Sequence, residues 1–135
     1  MGDKQRAESV FVVDEITDGE PIASRGRTDV ARARVHKTFS GDLEAKGVVE
    51  LSTAVAPDGR GYVGIEWVEG TLQGRSGGFA LLHAGTMDSS GQWATWPIVP
   101  GSGSGELEGI MGDGVIEIDD QGEHHFTLTY ELPER

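Results

Sequence analysis

Glu66 and His83 are the two residues whose types and placement could do chemistry. They sit on the two arms of a glycine-rich stretch, Gly61 to Met87 (GYVGIEWVEGTLQGRSGGFALLHAGTM), that reads as a long β-hairpin. With the tight turn at Gly74-Arg75, antiparallel pairing sets Leu72 opposite Gly77, Gly70 opposite Phe79, Val68 opposite Leu81 and Glu66 opposite His83. A carboxylate beside an imidazole orients the ring and raises its basicity, which is what a proton-transfer catalyst needs. The same pair equally serves as a cross-strand structural hydrogen bond or simply faces solvent, and no third catalytic partner is specified.

Other groups bear on the same space. Tyr62 and Tyr130 offer phenolic donors if they reach it, and Val68, Phe79 and Leu81 would line it for an apolar ligand. Trp67, Trp93 and Trp96 are planar apolar surfaces that either line a pocket or fill a core; strand alternation puts Trp67 on the face opposite Glu66. His124 and His125 are adjacent on a strand and point to opposite faces, which makes them poor joint metal ligands. Glu106, Glu108, Asp113, Asp119 and Asp120 lack calcium-loop spacing and read as a solvated acidic rim. No metal site and no cofactor is called for. The run Gly101 to Gly105 precedes a strand and lacks the lysine of a phosphate-binding loop, and its serines do not have nucleophile-elbow spacing.

The elements that must position these residues are strands. Ser9 to Asp14 (SVFVVD) is β-branched and aromatic; Thr17 to Asp29 carries the Gly, Pro, Ser and Asp content of a long loop. Val30 to Phe39 alternates imperfectly with Arg32, Arg34 and His36 on a wet face. Leu43, Ala45, Gly47, Val49 and Leu51 alternate more cleanly with charged neighbours. Pro57-Asp58-Gly59 is a turn into the hairpin, on which Val63, Ile65 and Trp67 alternate with Tyr62, Gly64 and Glu66, so both faces carry bulk and one looks into an enclosed space or a partner. After the DSSGQ loop come Trp93 to Pro97, then the glycine-rich GSGSGELEGIMGDG, where the backbone must bend sharply or pass close to another strand. The strands Val115 to Asp119 and His124 to Leu132 close the chain. About eight strands and no amphipathic helix imply an all-β fold, an antiparallel barrel that leaves no edge exposed.

Composition limits the function. The length suits one domain, with a polar tail at 1–8, a barrel over 9–132 and a short tail at 133–135. The absence of cysteine excludes disulfides and thiolate chemistry. A formal charge of −12 repels nucleic acid and anionic membrane surfaces. Arg25, Arg27, Arg32, Arg34 and Lys37 cluster in one segment and read as decoration of a loop and a strand exterior rather than a binding patch. Met1 to Glu8 is polar, without the apolar stretch of a signal peptide, and no apolar run is long enough to span a membrane, so a cytoplasmic location is expected.

Four motifs then occur in order: Phe39-Ser40-Gly41-Asp42-Leu43-Glu44; Glu69-Gly70-Thr71-Leu72 with Gly74-Arg75-Ser76-Gly77; Phe79 to Gly85 (FALLHAG); and VPGSGSGELEGIMG. Together they resemble the domain-of-unknown-function family 3224 over nearly the whole chain. The resemblance implies a calycin-type, allene oxide cyclase-like barrel. A more distant similarity to allene oxide cyclases and dirigent proteins rests on Gly103-Ser104-Gly105-Glu106-Leu107, Gly109, and the hairpin with Gly74 and Phe79. The cyclase's catalytic constellation has no residue-by-residue counterpart here, so its reaction does not carry over. Barrels of this kind often self-associate, which implies a homo-oligomer. Three functions are compatible: binding a small hydrophobic or amphipathic molecule in the lumen, an isomerase or cyclase using Glu66 and His83, or a filled-barrel interaction module.

Overall fold

The computed structural model describes residues 3–134; residues 1 and 2 of the expected N-terminal tail, and 135 of the C-terminal one, lie outside the described residues. Ten strands run in chain order: β1 (Gln5–Asp18), β2 (Ala23–Arg25), β3 (Thr28–Gly41), β4 (Leu43–Ala56), β5 (Gly59–Leu72), β6 (Arg75–Asp88), β7 (Gly91–Pro97), β8 (Ser104–Gly105), β9 (Met111–Ile118) and β10 (His124–Glu131). Eight of them pair antiparallel in the order β1-β10-β9-β7-β6-β5-β4-β3, and β1 pairs back onto β3, so the sheet closes on itself. The short β2 and β8 attach to β3 and β6 from outside the ring. Closure removes most of the free edge that long apolar strands would otherwise expose, with β7 and β9 joined only at Trp96–Gly114 and Pro97–Asp113.

Local chemistry explains where the strands extend beyond the sequence reading. β1 starts at Gln5 rather than Ser9 because Ala7 is an inward, buried position paired with Leu128. The long loop expected over Thr17 to Asp29 is mostly strand: β1 runs on to Asp18, and β2 and β3 form a hairpin whose turn uses Gly26 at φ 59. β4 to β6 are likewise longer than their clean alternating stretches.

The central hairpin folds with a different register from the one expected. Its turn is Gln73-Gly74, both with positive φ (46 and 87), the pattern of a type I′ hairpin with glycine second. Pairing is therefore Leu72 with Arg75, Gly70 with Gly77, Val68 with Phe79, Glu66 with Leu81 and Gly64 with His83. The shift is by an even number of residues, so every side chain keeps its face. Glu66 and His83 end diagonal rather than directly opposite. The expected covering of Gly70 by Phe79 is replaced by two bare glycines side by side; a Cβ on Gly77 would run into the Ser104 carbonyl of β8, so the missing side chain is what lets β8 dock.

One end of the barrel is packed solid. Leu43, Leu72, Phe79, Leu81, Leu128 and Tyr130 fill it, each at most 1% exposed. The segment between β7 and β9 closes that end from below: it bends through Gly101, Gly105 and Gly109, all at positive φ, and inserts Leu107 and Ile110 into the core. Ser102 and Ser104 fasten it, their hydroxyls accepting from the backbone N–H groups of Ala80 and Gly78. The sharp bending expected of this glycine-rich run thus serves to plug the barrel. No helix occurs among the described residues.

Candidate functional site

At the other end the barrel is open. A cavity of about 640 Å³ occupies this end of the lumen, walled by Phe11, Val35, Val49, Leu51, Trp96 and Ile116, with Tyr62, Trp93 and His124 also lining it. Lys37 and His83 form its polar floor. Each comes from an inward position of its strand: Lys37 shares its face with Val35 and Phe39 on β3, and His83 with Leu81 on β6.

Glu66 lies beneath that floor. Its side chain is 1% exposed, and its Oε1 accepts hydrogen bonds from His83 Nε2 at 2.7 Å and Lys37 Nζ at 3.2 Å. Burial by itself raises the carboxyl, yet the His83 hydrogen bond and the Lys37 charge outweigh it and hold Glu66 below its ordinary value. Glu66 is therefore a carboxylate, and its task in this geometry is to compensate Lys37 and to orient His83. Its Oε2 has no hydrogen-bond partner and lies against Gly47; any Cβ there would collide with it. Glycine at 47, the cross-strand partner of both Lys37 and Val68, makes the space the carboxylate occupies.

Both partners of Glu66 are held from their far sides as well. Lys37 Nζ stands 4.5 Å from the centre of the Phe11 ring, a cation–π contact, and Trp96 meets the His83 ring edge to face at 6.4 Å. Because His83 spends Nε2 on Glu66, Nδ1 is the ring atom left for whatever enters the cavity. Lys37 has ammonium hydrogens to spare beyond its one bond. The chemistry available at the floor is thus one titratable nitrogen and one fixed positive charge, both backed by a buried carboxylate.

The structure brings some expected residues together and separates others. Glu66 and His83 meet, and Tyr62 lines the cavity, its phenol pushed up by burial. Val68, Phe79, Leu81 and Tyr130 sit in the packed end and not on the cavity wall. Tyr130 turns its hydroxyl to Gln5 and Gln73 at the closed rim. Trp67 faces outward, as its alternation requires, while Trp93 and Trp96 line the cavity. The sequence reading missed Lys37, which it placed on the exterior with the four arginines; those four are exposed, whereas Lys37 is buried. The signal was the parity of Val35, Lys37 and Phe39, all on the inward side.

The two adjacent histidines diverge as expected. His124 packs at a tilt against Phe11, with ring centres 4.9 Å apart, and His125 points outward to Asp119 at 2.8 Å. Among the described residues, Asp119, Glu123 and His125 are the one group whose ligand atoms converge enough to hold a metal ion, all within 4.8 Å of one another. They are largely open to water and already hydrogen-bonded among themselves.

Fold and floor together define a closed antiparallel barrel with one plugged end and one open, mostly apolar lumen. The chain belongs to the DUF3224 family, described as proteins of unknown function, whose model matches residues 7–130. A crystal structure of a protein of unknown function from this family, from Shewanella oneidensis MR-1, is 32% identical and superposes with a TM-score of 0.89 over 98% of this chain and 100% of that one. No curated protein matches the chain.

Proposed function

We propose that the barrel binds a small amphipathic molecule in its lumen, apolar body against the aromatic and aliphatic wall and polar group against His83 and Lys37. The observation that carries this reading is the cavity itself. About 640 Å³ of space lined mainly by apolar side chains, with two convergent polar groups at its base, is the usual design of a small-molecule site. A barrel with no ligand to hold would gain by filling that volume, since unfilled core space costs stability. Trp93 and Trp96 on the wall supply the readout. Titration with amphipathic probes should shift tryptophan emission saturably and raise the melting temperature; a panel of varied shape and charge that leaves both unchanged refutes the reading.

A proton-transfer enzyme is a second reading, supported by the 2.7 Å bond that orients His83 with its free nitrogen toward the lumen. On this reading His83→Gln abolishes turnover of a cognate substrate while the protein stays folded, and undiminished turnover rejects it. A homo-oligomer fits the outer face of β5, where Val63, Ile65 and Trp67 are exposed in a row without a charge between them on that face. A monomer mass in sedimentation would reject that.

A further inference from the structure

The floor also carries information about the charge of the ligand, an inference that rests on the binding reading above. Its ionic ledger is uneven: Glu66 supplies one negative charge, Lys37 one positive charge, and His83 a second site for a proton, with Glu66 Oε1 the shared acceptor of both. With His83 neutral the floor balances and has no need of a ligand charge. With His83 protonated it carries an unbalanced positive charge in an apolar enclosure, which is costly unless an anion neutralises it. An anion entering against neutral His83 faces the opposite deficit, and taking a proton on Nδ1 corrects it. A cationic headgroup has no such route: Glu66 is sealed beneath Lys37 and His83, with Oε2 walled by Gly47.

We propose that the lumen takes a singly charged anionic amphiphile, a carboxylate or its like, with its headgroup between His83 Nδ1 and Lys37 Nζ, and that binding is coupled to the uptake of one proton by His83. The proton comes from solvent and rests on Nδ1, which donates to the anion while Nε2–H continues to donate to Glu66. No covalent bond changes. The other charged or titratable groups around the ring are farther up the barrel: Arg60 and Tyr62 on β5, His124 on β10 and, at the rim of β9, Glu117. From β4 and β7 the wall facing His83 is uncharged, with Val49, Leu51, Ala94 and Trp96. The local Glu66, Lys37 and His83 set therefore decides the sign even though the whole chain is acidic.

The test compares decanoate, decanol and decylamine on the intact protein by calorimetry, in two buffers of different ionisation enthalpy, from about pH 6 to about pH 9. The expected result is that decanoate binds more tightly than decanol, and decylamine least. Its uptake should approach one proton within this range, with affinity falling up to about tenfold per pH unit on the alkaline side. Decanol should show no uptake and a flat profile. His83→Gln, which keeps a donor toward Glu66 but cannot titrate, should bind decanoate more weakly, through Lys37, and show neither the proton uptake nor the pH slope. Equal binding of decanoate and decanol without uptake overturns the inference and leaves the binding reading standing. Uptake that persists in His83→Gln also overturns it, since the proton would then sit on a group other than His83, such as the ligand or His124. If none of the three binds, both the inference and the binding reading fall.

Discussion

Replacing Lys37 by methionine removes the positive charge from the floor while leaving the side-chain volume nearly unchanged. In the native barrel Glu66 is 1% exposed, and Lys37 and His83 share its Oε1. Without Lys37 the carboxylate keeps a single donor in an apolar surrounding. Orphaning one member of a buried ion pair costs about 3–5 kcal/mol, and the surviving His83 bond puts this variant at the lower end, about 3 kcal/mol at neutral pH. The pH dependence has a definite sign. In the native protein the folded carboxyl lies below its ordinary value, so its contribution to stability is present above the unfolded pKa and is lost as pH falls through the folded one. In Lys37→Met the largest lowering charge is gone and burial works against the ionised form, so acid relieves the variant while it weakens the native protein. The gap between the two should narrow from about pH 7 to about pH 4. Urea unfolding followed by tryptophan emission reads it, with Trp96 beside His83 as a local reporter. The double variant Lys37→Met/Glu66→Leu, which removes both charges, should regain most of the loss. A gap below about 0.5 kcal/mol at neutral pH, or one that does not change with pH, would refute the argument.

Three further outcomes follow from single features. Gly47→Ala should cost about 2 kcal/mol and displace Glu66 from His83, because the added methyl occupies the space of Oε2; the shorter Glu66→Asp in the same background should restore part of the loss, as denaturant midpoints would reveal. Gly74→Ala should cost about 1–2 kcal/mol although nothing stands near the new methyl, since φ 87 alone opposes it. The His125 ring, hydrogen-bonded to Asp119 and near Glu123 and Glu117, should titrate above 6.5 by NMR and fall back in Asp119→Asn; its small contribution to stability is full below the ordinary histidine value and lost as pH rises through the folded one.

The barrel was legible in the sequence because its strands state their period. Leu43 to Leu51, broken only by Val48, and Phe126 to Leu132 alternate clearly, and the glycine-rich run after Pro100 announced a sharp bend. The hairpin register was missed by the placement of one turn: Gln73 adopts positive φ, a conformation glycine or asparagine would have advertised and glutamine does not. Because the error was even, Glu66 and His83 still share a face and meet diagonally, though they are not the cross-strand pair expected. Lys37 was lost to its company, five basic residues in one segment, when its position between Val35 and Phe39 already pointed it inward. Gly47 could not have been found at all, since its role depends on a carboxylate on the neighbouring strand, two residues away in a register the sequence does not state. Nor does alternation tell which inward residues pack and which line a void; Phe79 and Leu81 look no different in the sequence from Val49 and Leu51, and only the plug formed by Leu107 and Ile110 decides which end of the barrel is filled.

The central claim is that the open end is a binding site whose floor is His83 and Lys37 over Glu66. The most direct measurement is a crystal structure of the protein grown with saturating decanoate. The account predicts density inside the cavity with an oxygen within hydrogen-bond distance of His83 Nδ1 or Lys37 Nζ and the chain running out past Trp96 toward Trp93. A cavity closed by inward rotation of those tryptophans, with no ligand inside at saturation, would contradict it.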